Sequence, residues 1–215
     1  MNIKKNLDDI YTDIGDKARL VVVTKTVDDK YLPELIQYGI KDIGENKVNC
    51  LVDRHDKYGD TFNYHMIGRL QTNKVKYLVN WVSLIHSLDR ISLLEELDKQ
   101  GAKNNFVFDC LVQLNISKEE SKTGIYLEDL DDFLRLAKDK KHVNIKGFMT
   151  MAPNTENRNE IVGIFKNAKK IFDINSKIRY NNFNIEYLSM GMSNDYLIAV
   201  ENGSNMVRIG SKIFK

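Results

Sequence analysis

The chain has 215 residues, which is enough for one sizeable hydrophobic core and fits a single α/β or barrel domain. Its 32 basic and 30 acidic residues are interspersed and give a formal net charge of +2, so there is no electrostatic case for a nucleic-acid partner. No stretch approaches the roughly 20 apolar residues of a transmembrane helix, and the N-terminus lacks the apolar region of a signal peptide.

The cysteines and histidines predict neither a disulfide nor a metal site. Cys50 and Cys110 stand alone, without a CxxC or Cys/His pattern, and isolated cysteines are typical of reduced core positions. The four histidines also lack the spacing of metal ligands; they are His55, His65, His86 and His142. We therefore expect a cytoplasmic protein that uses no metal and has no membrane partner.

Short apolar runs alternate with amphipathic segments from beginning to end. The predicted strands are residues 19–24, 42–44, 64–68, 81–86, 108–115, 144–149, 185–190 and 205–209. The predicted helices are residues 30–38, 46–58, 74–79, 90–100, 127–139, 157–177 and 194–202. Alternating elements indicate a parallel sheet covered by helices, and eight strands favour a closed (β/α)8 barrel of the TIM type over a doubly wound sheet. No linker divides the chain, so residues 1–215 are predicted to form one domain.

A lysine follows the first predicted strand. Residues 20–24 are a mostly β-branched run, typical of a buried parallel strand, and Lys25 comes directly after them. An ammonium group is costly to bury unless it is paired or neutral. Lys25 either lies just past the strand with its amine in water, or it is a nucleophile that forms a Schiff base with a carbonyl.

Two segments near the C-terminus combine strand ends with glycine and hydroxyl residues. They are residues 189–195, SMGMSND, and residues 206–211, MVRIGS. A glycine and a serine at the end of a strand often form a simple turn, but glycine also lets backbone N–H groups approach a phosphate. In a barrel, the loops after strands seven and eight commonly hold phosphate, and strand eight lies beside strand one. A phosphate site, Lys25 and Arg208 at one rim would fit pyridoxal 5′-phosphate.

Sequence blocks along nearly the whole chain resemble one family. They are VTKT (23–26), GENKV (44–48), HMIGRLQTNK (65–74), IHSLD (85–89), QLNI (113–116), ESKTG (120–124), GFMTMAP (147–153) and the two C-terminal segments. In this order and spacing they resemble the YggS/PROSC family of pyridoxal-phosphate-binding proteins, also called pyridoxal phosphate homeostasis proteins.

The resemblance implies a fold and a set of binding residues. The fold would be a barrel similar to the N-terminal domain of alanine racemase (fold type III), without the second β domain of that enzyme. Lys25 would carry the Schiff base, Arg208 would face the pyridine nitrogen, and Asn46 would lie near the ring. The phosphate would be bound by Ser193, Gly210 and Ser211. For Lys122, a second exchangeable cofactor contact and a surface charge both remain open.

The charge of Arg208 would determine which chemistry the bound cofactor supports. A permanently charged guanidinium keeps the pyridine nitrogen unprotonated, and the ring then stabilises carbanions poorly. We expect the side chain of Arg208 to point into a polar mouth rather than into the packed core. The alternative is that Arg208 only neutralises a carboxylate, such as Glu45 or Glu201.

Three functions follow from these patterns. The first is intracellular vitamin B6 homeostasis by a monomer that holds pyridoxal phosphate, without robust turnover, and passes it to pyridoxal-phosphate-dependent apo-enzymes. The second is an amino-acid racemase, which needs two opposed proton-transfer groups, and only His65, His86 or a tyrosine would serve. The third is an interaction module that binds no cofactor.

Overall fold

Eight parallel strands form a closed barrel in a computed structural model that describes residues 2–119 and 123–215. The strands are β1 (Arg19–Val23), β2 (Asp42–Glu45), β3 (Asn63–Met66), β4 (Leu84–Leu88), β5 (Phe108–Gln113), β6 (Val143–Met149), β7 (Phe183–Ser189) and β8 (Met206–Ile209). Each strand pairs with the next in the chain, and β8 pairs with β1. The predicted (β/α)8 architecture is confirmed.

Helices cover the outside of the barrel. They are α1 (Ile3–Ile14), α2 (Leu32–Tyr38), α3 (Val48–Tyr58), α4 (Ile91–Asn104), α5 (Leu130–Ala137), α6 (Arg158–Asn175) and α7 (Tyr196–Glu201). Among the described residues, no helix has the length and hydropathy needed to cross a bilayer. The same part of the chain contains no cluster of three or more side chains suited to a metal ion.

Three elements differ from the sequence prediction by more than a few terminal residues. Helix α1 was not predicted, although Ile3, Leu7, Ile10 and Ile14 form a buried stripe at helical spacing. The helix predicted at 74–79 is a 3₁₀ segment, Thr72–Tyr77. The strand predicted at 81–86 begins only at Leu84, because Trp81 stacks on a ring of α3, His55, with centroids 4.3 Å apart. The apolar residues just before Leu84 therefore pack against a covering helix and are not part of the sheet.

The alternation of side chains along each strand separates two packing layers. Outward residues, such as Leu20 and Val22, pack under the helices in the main core. A smaller apolar cluster fills the barrel interior, and its buried members are Val21, Leu84, Leu111, Met149 and Met206. The interior is therefore a packed core, as the barrel fold requires.

The barrel interior also contains polar side chains. Asp42, His65, His86, Ser189 and Arg208 are all buried. His65 and Arg208 occupy inward positions because their neighbours on β3 and β8 pack outward against helices. Buried polar groups need hydrogen-bond partners, and these five provide them for one another.

Candidate cofactor site

All six predicted site residues line one cavity at the C-terminal ends of the strands. The cavity has a volume of about 910 Å³. Its walls include Lys25, Asn46, Ser193, Arg208, Gly210 and Ser211. These residues come from β8 and from the segments that follow β1, β2, β7 and β8. The parallel barrel brings them together because every strand ends at the same rim.

Lys25 lies two residues beyond the end of β1. The strand stops at Val23, one residue earlier than predicted, and Thr24 is the last buried residue before the lysine. Lys25 is exposed and borders the cavity. Its amine can therefore reach a ligand there without displacing packed side chains.

An arginine of α3 holds the segment that carries Lys25. Arg54 is buried and donates from Nη2 to the backbone carbonyls of Thr24 and Val27, both at 3.0 Å. Its Nε donates to Glu45 Oε1 at 2.7 Å, and Thr24 Oγ1 donates to the same oxygen at 2.6 Å. Charge-assisted bonds on both sides of Lys25 fix the loop. Nothing in the amphipathic pattern of this helix singled out Arg54.

Arg208 extends from β8 to the floor of the cavity. Its Nη1 donates to the carbonyl and hydroxyl of Ser189, at 2.9 and 2.6 Å, and its Nη2 donates to the carbonyl of Thr150 at 3.1 Å. Burial lowers the pKa of Arg208 to about 10, and the nearby carboxylate of Asp195 acts in the opposite direction. The guanidinium is therefore still charged at neutral pH.

The burial of Arg208 corrects one expectation. The residue is only 4% exposed, and its side chain lies in the polar part of the barrel core, not in an open mouth. Neither of the two carboxylates considered as partners pairs with it: Glu45 binds Arg54, and Glu201 binds Arg158 at 2.9 Å. Within the described residues, Arg208 makes no ion pair with a carboxylate. A buried cation without a paired anion is costly, which points to a ligand-binding role.

The loops after β7 and β8 meet at the hydroxyl of Ser193. Ser193 Oγ accepts the backbone N–H groups of Gly210 and Lys212, at 3.4 and 3.3 Å. A Cβ on Gly210 would lie 2.9 Å from the carbonyl oxygen of Val23, so glycine permits the close approach of the β8 loop to β1. Among the described residues, these two N–H groups are held only by long bonds to one hydroxyl, and together with the hydroxyls of Ser193 and Ser211 they form a polar end of the cavity that suits an anion.

Glycine also shapes two other parts of the rim. Gly191 has φ +93°, and an added Cβ would lie 2.6 Å from the Cβ of Ala199, so the turn after β7 admits no side chain. A Cβ on Gly68 would lie 2.3 Å from the carbonyl oxygen of Asn46. The loop after β3 therefore packs on the backbone of Asn46 and holds it at the cavity wall.

Several residues of the cavity wall were not found from the sequence. Tyr31, Arg69, Asn154 and Asp195 also line it, but a lone tyrosine or asparagine in a loop predicts no site. His65 and His86 are not part of the wall; both lie inside the barrel. Lys122 lies outside the described residues.

The fold and the cavity define a barrel of the alanine racemase type. The profile of the family described as "Alanine racemase, N-terminal domain" matches residues 1–215, and the chain belongs to this family. Within it, the chain is similar to curated proteins named pyridoxal phosphate homeostasis protein, which confirms the resemblance to the YggS/PROSC family.

Three of these relatives cover most of the chain. The protein of Aquifex aeolicus is 38% identical over 92% of this chain and 86% of its own length. The protein of Escherichia coli is 33% identical over 93% of this chain and 86% of its own length. A Helicobacter pylori protein is 32% identical over 100% of this chain and 99% of its own length.

Solved structures show the same fold. PipY of Synechococcus elongatus without PLP has a TM-score of 0.91 and 25% identity, covering 99% of this chain and 100% of that one. The same protein with PLP bound has a TM-score of 0.88. Alanine racemase of Corynebacterium glutamicum has a TM-score of 0.74 at 12% identity, and the match covers 99% of this chain and 60% of the enzyme, which shows a shared fold.

Proposed function

We propose that this protein binds pyridoxal 5′-phosphate through a Schiff base on Lys25 and serves the homeostasis of that cofactor. The observation that carries the proposal is a single cavity with an accessible lysine amine, a buried unpaired arginine and a turn rich in backbone donors. The name of the curated relatives and the PLP-bound structure of PipY support it.

The donors of the cavity fit the chemical groups of pyridoxal phosphate. The described bonds of Arg208 use three of the five N–H groups of a guanidinium, so Nε–H and one Nη2–H remain for a ligand. Lys25 supplies an amine, and the loops at Ser193 and Gly210 supply donors for a phosphate. When bound, the cofactor supplies an aldehyde and an electron-accepting ring. A permanent positive charge at the ring nitrogen favours holding the cofactor over carbanion chemistry.

Reduction with borohydride tests the covalent attachment. We expect the purified protein to absorb visible light from its bound cofactor, and borohydride to fix the label irreversibly. Peptide mapping should then place the label on Lys25, since its amine borders the cavity. A label found chiefly on another lysine would contradict the assignment.

We also propose that the protein lacks robust turnover and passes its cofactor, as a monomer, to pyridoxal-phosphate-dependent apo-enzymes. Transfer predicts that the loaded protein activates an apo-enzyme in the presence of a phosphatase that destroys free pyridoxal phosphate. Light scattering on the same preparation tests the oligomeric state, and we expect the molar mass of one chain. No activation under these conditions would argue against delivery.

Amino-acid racemisation is the second candidate, because Tyr31 lies on the cavity wall with Lys25. The two histidines considered for proton transfer are buried away from the cavity, so Tyr31 is the proton donor that this hypothesis would need. The loaded protein should be assayed against a set of amino acids. Turnover of about 1 s⁻¹ or more, abolished in Tyr31→Phe, would defeat the homeostasis proposal.

Arg208→Gln should weaken cofactor binding by about 1–3 kcal/mol, the range of a charged hydrogen bond. The variant should also unfold more easily than the wild type, because Arg208 bonds to Ser189 and Thr150 inside the barrel. Titration with pyridoxal phosphate and chemical denaturation measure the two effects. Arg158→Gln removes an exposed arginine paired with Glu201 and serves as the control. Wild-type affinity in Arg208→Gln would remove Arg208 from the site.

A further inference from the structure

A chain of hydrogen bonds crosses the barrel interior below the cavity. Arg208 Nη1 lies 2.6 Å from Ser189 Oγ, and Ser189 Oγ lies 3.1 Å from His86 Nδ1. His86 Nε2 lies 2.9 Å from His65 Nδ1, and His65 Nε2 lies 3.0 Å from Asp42 Oδ1. None of the five residues is more than 7% exposed. They come from five different strands, so local sequence does not bring them together.

With both histidines neutral, the two ends of the chain set the same direction for every bond. An ionised carboxylate only accepts, so His65 Nε2 must donate to Asp42, which makes Nδ1 of neutral His65 an acceptor for His86 Nε2–H. A guanidinium only donates, so Ser189 Oγ accepts from Arg208 and its own proton points to His86 Nδ1. Burial of the two imidazoles favours their neutral forms, and each then carries its proton on Nε2, so that no bond in the chain conflicts with another.

Burial keeps the chain in this protonation state. Burial acts to raise the pKa of Asp42, but hydrogen bonds from His65 and Arg19 outweigh it and lower that pKa to about 2. Burial lowers the pKa of His65 against the effect of Asp42, and it lowers the pKa of His86 further below the usual range. At neutral pH the chain links a carboxylate near the N-terminal end of the barrel to a cation at the cavity.

We propose that His86 and His65 are positioning residues for Arg208: through Ser189 they fix its guanidinium and connect it to the negative charge of Asp42. This role rests on the proposed function, in which Arg208 meets the cofactor ring. A carboxylate in direct contact would occupy the N–H groups that the ligand needs. A chain of hydrogen bonds fixes the guanidinium from the barrel interior and leaves those groups available, while the nearby carboxylate of Asp195 acts on its charge without an ion pair.

Removal of one hydroxyl tests the link. Ser189→Ala should raise the Kd for pyridoxal phosphate about three- to tenfold, the range for one hydrogen bond. Ser204→Ala is the matched control, because Ser204 is a buried serine beside β7 and β8, as Ser189 is. The hydroxyl of Ser204 bonds only to backbone carbonyls, those of Leu188, Met190 and Met206. Ser204→Ala should leave the Kd unchanged. Equal increases in Kd for the two variants would overturn the proposal.

A double-mutant cycle separates positioning from general loss of packing. In the Arg208→Gln background, Ser189→Ala should have no further effect on the Kd, because the group that the chain positions is already gone. Fully additive effects of the two substitutions would overturn the positioning role.

Nitrogen NMR of the imidazoles gives a readout without cofactor. We expect both His65 and His86 to be neutral with the proton on Nε2 from about pH 5 to 8, where an ordinary histidine titrates. Ser189→Ala should shift the Nδ1 resonance of His86, which loses its donor. The Nδ1–H form of His86 in a protein that binds pyridoxal phosphate normally would overturn the positioning role alone. The expected tautomers in a protein that takes up no pyridoxal phosphate would instead overturn the proposed function.

Discussion

Lys25→Ala should lose all of the borohydride-fixed label and the visible absorbance of the lysine-bound cofactor. The reason is chemical, because only an amine forms the Schiff base and the amine of Lys25 borders the cavity. Stability should change by no more than about 0.5 kcal/mol, since the residue is exposed and makes no described hydrogen bond. Absorption spectra, peptide mapping and thermal melting measure these effects.

The matched control for this substitution is Lys47→Ala. Lys47 is an exposed lysine next to Asn46 and does not line the cavity, so its removal should leave the label in place. Lys25→Ala should still bind some cofactor non-covalently, because Arg208 and the loops at Ser193 and Gly210 remain. A full label in Lys25→Ala would refute the proposed attachment.

Arg54→Met should cost about 3–5 kcal/mol of stability, the largest loss that we expect from a single substitution. It removes one partner of a buried ion pair and leaves the carboxylate of Glu45 uncompensated. One oxygen of that carboxylate, Oε2, already has no hydrogen-bond partner among the described residues. The backbone carbonyls of Thr24 and Val27 also lose their bonds from Arg54, although Thr24 keeps the bond from the N–H of Val27. Chemical denaturation of the apo-protein measures the loss.

Two further variants give this prediction its meaning. Arg158→Met breaks an exposed pair with Glu201 and should cost less than about 1 kcal/mol. Arg54→Met combined with Glu45→Gln should recover part of the loss, because no buried charge is left unpaired. Cofactor binding should weaken in both variants that lack Arg54, since the segment carrying Lys25 is released. A loss of stability in Arg54→Met as small as that in Arg158→Met would contradict the role of Arg54 in holding the segment that carries Lys25.

The sequence by itself determined the barrel and the rim at which the predicted site residues meet. Alternation of β-branched runs with amphipathic segments predicts eight parallel strands, because buried strands and covering helices differ in their hydrophobic period. The position of Lys25 just after one run, and of Ser193 and Gly210 just after two others, predicts a common rim once the strands are parallel. These residues do line one cavity.

Only the tertiary structure decided how these residues are held. Arg54 lies on an amphipathic helix, yet its side chain turns inward to the carbonyls around Lys25. The burial of Arg208 differs from the expected polar mouth, because its polar partners are Ser189 on β7 and Thr150 just after β6, both far from Arg208 in the sequence. Asp42, His65 and His86 each read as a single polar residue in an apolar run. Their role depends on hydrogen bonds between residues 21 or more positions apart, such as those from His65 to Asp42 and His86. Such contacts exist only when the barrel closes and its inward side chains meet.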